Sequence, residues 1–262
     1  MMKKFLILFV VTICWASAYA QYNETEFIGN VKRVSIVNKA MSDTSYTSYQ
    51  IRDYDTLGRL SKNLNYSSNS NKMLTVYRYN IDGKLSGYNI YDGGSVSAPI
   101  FLISDYVYEN GRIAKEKFKS YTRDKGVVKS EVLYKYDQRG LLVEGTYICG
   151  LPGYFKYDSL GRLIESNGYE HGEELTYKGD KVYQMTTSYG DERVYTYGDD
   201  GRLVSYEIYE DGFYRKDGHN PVVRYSYRYF NDSRGNWIHL YQKDVKTGLE
   251  RIIFERKFEY RW

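Results

Sequence analysis

The sequence predicts an all-β protein, an antiparallel meander of hairpins forming one strongly curved sheet, either a partial shell or barrel-like. Three observations predict it. A short motif, Tyr-Asp-x-x-Gly-cation-aliphatic, recurs along the chain. Tyrosine reaches 32 of 262 residues while proline is held to three. Aromatic residues lead into the motifs at a period of two, which is the alternation of a strand. After residue 20 no long segment carries helical periodicity.

The chain opens differently from the rest. Lys3 and Lys4 precede an apolar run from Phe5 to Trp15, and Ala18-Tyr19-Ala20 follows, the layout of a secretory signal peptide. As a helix that run would rise only about 16 Å, against a hydrocarbon core of about 30 Å, so it reads as a leader and not as a membrane span. Cys14 lacks, in Val11-Thr12-Ile13, the small residues that lipoprotein cleavage prefers. Residues 1–20 are therefore expected to be a signal peptide and residues 21–262 a single β-sheet domain. The mature chain is expected to start near Gln21 and to be periplasmic, cell-surface or secreted, with no membrane span after cleavage.

Loss of the leader lowers the formal charge from +4 to +2, so there is no electrostatic footprint for nucleic acid. It also leaves Cys149 as the sole cysteine, so no intrachain disulfide can form. Stability must come from packing and strand pairing.

A leading strand is expected at Val31 to Val37. The motif copies then follow in order: YDTLGRL (54–60), YNIDGKL (79–85), YENGRI (108–113), YDQRGLL (136–142), YDSLGRL (157–163), YKGDKV (177–182), YGDDGRL (197–203) and NDSRGNW (231–237). They lie roughly 20 to 35 residues apart, the spacing of a repeat architecture. Tyr77, Tyr106, Tyr134, Phe155, Tyr195 and Tyr229 stand two residues ahead of their motifs. Each copy is expected to be one hairpin, and a closing strand should run from Arg251 to Trp262. So many strands cannot stay flat, because each pair adds roughly 20° of twist.

Turn chemistry explains the motif. Asp or Asn hydrogen-bonds the turn backbone, two permissive residues follow, and Gly takes the positive φ of a type I turn closed by a G1 bulge. This assigns structural turn roles to Asp55, Gly58, Gly83, Gly111, Gly140, Asp158, Gly161, Gly201 and Gly235. It sets Asp158 across from Arg162 and Tyr157 across from Leu163. Two copies are one residue shorter, and they test the reading. In YENGRI, Asn110-Gly111 suits a type I′ turn that faces Tyr108 with Ile113; in YKGDKV, Gly179-Asp180 suits a type II′ turn that faces Tyr177 with Val182. Each deletion changes the turn and keeps the Tyr/aliphatic pair, behaviour a catalytic motif has no reason to show. The same register sets Lys178 against Lys181, an electrostatic conflict.

These copies resemble the YD-repeat, or RHS-repeat, family of bacterial secreted and cell-surface proteins, over about residues 45–240. The resemblance implies β-hairpins that, in large members, wind into a hollow shell around a cargo domain, often a toxin. This chain shows no obvious C-terminal toxin segment.

The connections between hairpins are expected to be variable loops: 61–73, 92–101, 121–129, 149–153, 170–173, 189–192 and 210–221. Such loops are where recognition usually sits. Candidate chemistry is sparse. His171 lies beside Glu173 and Glu174 in a turn, where a His-x-Glu pair binds metal or moves a proton in other settings; His219 reads as a turn residue. The pairs Glu173/Glu174 and Asp199/Asp200 do not suit two-carboxylate glycoside hydrolysis, since neighbours on a strand point to opposite faces. Cys149 has no nearby histidine. There is no nucleophile elbow, phosphate-cradling loop or Cys/His metal spacing, so no enzyme activity, cofactor or metal is expected. Trp237, His239 and Tyr241, alternating on one strand, form the candidate ligand-binding strip, a face that suits a sugar ring.

Three functions follow. The leading one is an exported, non-enzymatic protein binding carbohydrate or a protein at the cell envelope. The second is a structural shell housing or neutralising a separately encoded toxin-like cargo. The third is an outer-membrane β-barrel, suggested by Phe254, Phe258, Tyr260 and Trp262 on one face of the last strand and opposed by Arg256 within that face.

Overall fold

The structure, a computed structural model, describes residues 27–39, 47–68, 70–122, 126–146, 151–168, 172–209 and 221–261. The expected signal peptide, Cys149, His171, His219 and Trp262 lie outside the described residues. Every regular element among the described residues is a strand: β1 (Val31–Lys39), β2 (Thr47–Tyr54), β3 (Leu60–Ser67), β4 (Met73–Tyr79), β5 (Leu85–Asp92), β6 (Ile100–Glu109), β7 (Arg112–Thr122), β8 (Gly126–Tyr136) and β9 (Leu142–Thr146). Then come β10 (Pro152–Tyr157), β11 (Leu163–Asn167), β12 (Gly172–Lys178), β13 (Lys181–Thr187), β14 (Glu192–Tyr197), β15 (Leu203–Tyr209), β16 (Val223–Asn231), β17 (Trp237–Asp244) and β18 (Glu250–Tyr260). All 18 belong to one antiparallel meander, in which β1 pairs with both β2 and β18. The first and last strands are therefore neighbours, and the circuit of pairing closes.

The turns form as their chemistry dictates. The Asp55 carbonyl accepts from the Gly58 N–H at 3.0 Å, and the Asp55 N–H donates to the Arg59 carbonyl at 2.8 Å, the pattern of a type I turn with a G1 bulge. Gly58, Gly83, Gly140, Gly161, Gly201 and Gly235 adopt φ between 75° and 90°. The Asp side chain fixes the loop from within. Asp158 Oδ1 accepts from the Leu160 and Arg162 amides at 2.9 Å each, and Oδ2 takes the Arg162 Nε at 2.6 Å. Tyr157 faces Leu163. In the shortened copies, Asn110 and Gly111 have φ of 50° and 79°, a type I′ turn, while Gly179 alone has positive φ at 65°, as type II′ requires. Tyr108 faces Ile113 and Tyr177 faces Val182. The Lys178/Lys181 conflict is relieved by divergence: one ammonium lies 5.9 Å from the Tyr183 ring, the other 6.0 Å from the Tyr197 ring.

A second irregularity is absent from the motif's turn logic. Immediately after the aliphatic residue the outgoing strand carries one unpaired residue, a β-bulge: Ser61, Ser86, Ala114, Val143, Ile164, Tyr183 and Val204 in the first seven copies. The extra residue reverses the face on which later side chains lie. Leu60, facing Tyr54, and Lys62, facing Asp53, thus point to opposite sides although two positions apart.

Successive hairpins are tied by the tyrosine itself. The β3–β4 ladder begins at Lys62 and Val76, which leaves the Leu60 carbonyl at its open end. The Tyr79 hydroxyl donates to that carbonyl at 2.8 Å, Tyr108 does the same to Leu85 at 2.7 Å, and Tyr177 to Leu163 at 2.7 Å. The motif cation covers the same ring: Arg59 lies 4.2 Å from the Tyr79 centroid and Arg162 4.6 Å from that of Tyr177. The first and fifth motifs therefore supply both a carbonyl and a cation to the tyrosine of the next, with Asp55 and Asp158 holding Arg59 and Arg162 in place.

Contacts divide the chain into two compact units, one of Phe27–Glu131 with Arg228–Gln242 and the chain from Glu250 onward, the other of Val132–Tyr227 with Lys243–Leu249. In the first, Val31, Val34 and Ile36 are buried against Phe27, Tyr54, Phe254, Phe258 and Tyr260. In the second, Leu175, Val182 and Met185 pack with Leu163, Tyr177 and Tyr195. The expected loops are shorter than the sequence suggests. Residues 61–67, 100–101, 121–122, 126–129 and 152–153 are strand; in 61–67 the polar Ser, Asn and Lys positions are held in the ladder by their paired neighbours, an effect of context that outweighs β-propensity.

Candidate functional site

The strip Trp237, His239 and Tyr241 does not share one face. Trp237 packs against Tyr229 (5.9 Å between centroids) and Phe254 (6.4 Å), with the Arg256 guanidinium 3.3 Å from its ring. Tyr241 packs instead against Phe230 at 5.3 Å, and His239 lies edge-on to it at 6.4 Å. Tyr229 and Phe230 are successive residues of one strand, so they point to opposite faces. Trp237 occupies the aliphatic position of its motif, and the parity reversal that follows that position elsewhere applies here too: Leu240 is fully buried while His239 and Tyr241 are half-buried. Trp237 is thus a packing residue on the face of the motif tyrosines.

What remains is an aromatic cluster on the other face. Phe230 is 44% exposed. Arg228 lies 4.7 Å from the Phe230 ring and 4.3 Å from that of Tyr241, and its Nη2 donates to Glu250 Oε2 at 2.9 Å. Two rings, an imidazole, a guanidinium and a carboxylate therefore meet at an accessible surface of one compact unit. Phe230 and Arg228 were not singled out by sequence. The signal that finds them is the alternation of β16, in which Arg224, Arg228 and Phe230 are exposed while Tyr225 and Tyr229 are half-buried.

The tyrosine face of the same unit holds a buried polar group. Glu116, 1% exposed, accepts from the Ser104 hydroxyl at 2.5 Å. Tyr106 lies directly across from it in the β6–β7 register, and the Tyr77, Tyr88 and Tyr106 rings run side by side at 6.2 and 6.3 Å. Burial, followed by the charge of Glu116, pushes the Tyr88 and Tyr106 phenols far above the ordinary tyrosine range. A neutral phenol beside a carboxylate is a donor, and Tyr88 is placed to hydrogen-bond Glu116 alongside the Ser104 hydroxyl.

The remaining sequence candidates are turn and strand residues. Glu173 faces Thr187 and is buried, while Glu174 faces Thr186 and Glu165. Asp200 accepts from the Arg202 amide at 3.0 Å. Among the described residues, no three His, Cys, Asp or Glu side chains converge as metal ligands.

No protein-family model matches the chain. In sequence it is similar to the tRNA3(Ser)-specific nuclease WapA of Bacillus spizizenii, 26% identical over 241 residues, covering 88% of this chain and 8% of that protein. The chain thus spans less than a tenth of that relative's length. Among solved structures it is similar to a porin-like protein from Bacteroides uniformis, with a TM-score of 0.47, 10% identity and coverage of 89% of this chain and 99% of that one. It is also similar to the Tc holotoxin pore of Photorhabdus luminescens (TM-score 0.39, 12% identity, 83% of this chain, 15% of that one) and to the TcdB2-TccC3 protein (0.38, 11%, 88% and 16%).

Proposed function

We propose that this chain is an exported, non-enzymatic YD-repeat protein that binds a cell-envelope ligand, carbohydrate or protein, through the cluster of exposed Arg228 and Phe230 with half-buried His239 and Tyr241. The observation that carries the reading is the division of labour between the two strand faces. Motif Asp, Gly, cation, aliphatic and Tyr are consumed in turns and inter-hairpin ties, whereas Phe230 and Tyr241 present their rings at an accessible surface. Aromatic rings beside Arg are the composition of binding hot spots, and rings flanked by polar groups suit sugars equally. Export rests on the leader pattern of residues 1–20.

The test is a pull-down from cell-envelope extract with the chain from Gln21 as bait, beside a Phe230→Ala/Tyr241→Ala variant. A ligand retained by the parent and lost by the variant supports the reading. Equal recovery by both, or none by either, removes it.

A second reading, a shell housing or neutralising a toxin-like cargo, is supported by the similarity to a small part of a much longer nuclease. Co-purification with the product of a neighbouring reading frame tests it. The outer-membrane barrel is disfavoured on physical grounds. The β7 strand buries Glu116, Phe118 and Ser120 on one face and exposes Lys117 and Lys119 on the other, and Lys135–Glu144 and Lys156–Glu165 pair across exposed faces. A lipid-facing lysine at the bilayer midplane costs about 2–4 kcal/mol.

A further inference from the structure

The eighth motif departs from most of the others in its cation slot, as the fourth does with Leu141. Where most earlier copies have Arg or Lys, as at Arg59, Lys84, Arg112, Arg162, Lys181 and Arg202, NDSRGNW has Asn236. Asn236 is 5% exposed, and its carboxamide grips a backbone: Oδ1 accepts from the Ile28 N–H at 2.7 Å and Nδ2 donates to the Ile28 carbonyl at 2.9 Å. The same Nδ2 donates to the Tyr260 hydroxyl at 2.7 Å, which donates to Asp232 Oδ2 at 2.6 Å. The pair β18 and β1 takes the place of the next hairpin, with Val31 facing Tyr260 and the Arg261 N–H donating to the Asn30 carbonyl at 2.8 Å, and Phe27–Asn30 lies at its turn end.

The site reads that segment at three positions. The Phe27 ring lies edge-on to Phe258 at 5.3 Å and to Tyr54 at 5.8 Å. Ile28 contributes its backbone and rests its Cδ1 over Gly235, 3.2 Å from where a Cβ there would stand, the rest of its side chain being exposed. Gly29 has φ of 96°, and a Cβ there would stand 2.9 Å from Arg234 Nη1 and 3.6 Å from the Tyr260 ring. The recognised pattern is therefore Phe-x-Gly in a fixed backbone conformation.

We propose that this corner is a docking site for an extended Phe-x-Gly segment, filled in cis by Phe27–Gly29 and open to the same segment of a second copy of the chain. The segment precedes β1 and is joined to it through Asn30, whose carbonyl accepts from the Arg261 N–H at 2.8 Å, while Phe27–Gly29 is held by side-chain contacts outside the β1–β18 ladder. Exchange between two copies would preserve every contact at the site, the condition for segment swapping.

The experiment uses the full chain carrying Ile28→Pro, which removes the N–H that Asn236 accepts and trims the side chain that rests over Gly235. A fluorescein-labelled peptide of residues 23–30, NETEFIGN, is titrated in by anisotropy, and amide exchange follows the segment and β1. The expected result is saturable binding to the variant, weaker by about tenfold or more in the parent chain, whose own segment competes. Binding should vanish when Asn236→Ala is added or when the peptide's Phe is replaced by Ala. Three results overturn the proposal: residues 29–30 staying protected in Ile28→Pro, protection being lost throughout β1 and β18 along with them, or binding that is absent or insensitive to Asn236→Ala.

Discussion

At Tyr79, Tyr108 and Tyr177 tyrosine does what phenylalanine cannot, because the hydroxyl closes an otherwise open carbonyl. Tyr79→Phe keeps the ring under Arg59 but deprives the Leu60 carbonyl of its donor. A loss of about 0.5–1.5 kcal/mol is expected in urea denaturation. Two glycines should separate strain from collision. At Gly58, whose φ is 77°, an added Cβ would meet nothing within 4 Å, so Gly58→Ala should cost only the left-handed conformation, roughly 1–2 kcal/mol. Gly87, at φ 150°, would place a Cβ 2.1 Å from the Ser104 carbonyl oxygen and 2.7 Å from Arg78 Nη2. Gly87→Ala should therefore be clearly the more damaging in the same measurement, and equal midpoints would contradict the difference. Only the first of these glycines was readable from the motif; the second owes its role to a neighbouring strand.

At the scale of the hairpin, turn type is interchangeable while the Tyr/aliphatic register is not. Replacing Glu109-Asn110-Gly111-Arg112 by the Asp-Ser-Leu-Gly-Arg of the fifth copy should leave Tyr108 opposite Ile113. The expected outcome is an unchanged far-ultraviolet spectrum and a thermal midpoint close to the parent's; a collapsed transition would refute it. Asn110→Ala should do harm instead, because Asn110 holds φ 50°, a conformation asparagine tolerates far better than alanine. The turns were legible because Asp, Asn and Gly have local reasons to be there. The bulges were not, because residues as unlike as Ser61, Ile164 and Tyr183 fill that position. Their reversal of parity sets Trp237 on the face opposite His239 and Tyr241, which lie instead beside Phe230 and Arg228.

Across the whole molecule, buried phenols and turn carboxylates set opposite limits on pH. Burial raises the Tyr77, Tyr88 and Tyr106 phenols, with the charge of Glu116 adding to the last two. The folded state therefore favours the neutral phenol, and that contribution is complete below about pH 10 and is lost above it. On the acid side, burial works to raise Asp55, Asp158 and Asp232, but hydrogen bonds outweigh it, and all three sit below the usual carboxylate range. Those bonds come from Arg59, from Arg162, and from Tyr260 with the Arg234 and Asn236 amides respectively. Their contribution is present above about pH 4 and falls away as pH drops through the folded values. Denaturant midpoints measured against pH should show both limbs. Tyr106→Phe should flatten the alkaline limb, and an unchanged slope there would count against the buried-phenol origin.

The sequence by itself determined the hairpins, their turn types, the Tyr/aliphatic register and the number of strands, because each is fixed by residues within a few positions of one another. Tertiary structure decided what depends on residues far apart. The tyrosine hydroxyl finds the carbonyl of the previous hairpin, the bulge reverses the faces and so relocates the candidate site, and Asn236 meets Ile28 across 208 positions. A periodic sequence repeats its local instructions faithfully. Where the repeat ends and what seals it depend on which strands become neighbours, and that is settled only when β1 comes to lie between β2 and β18.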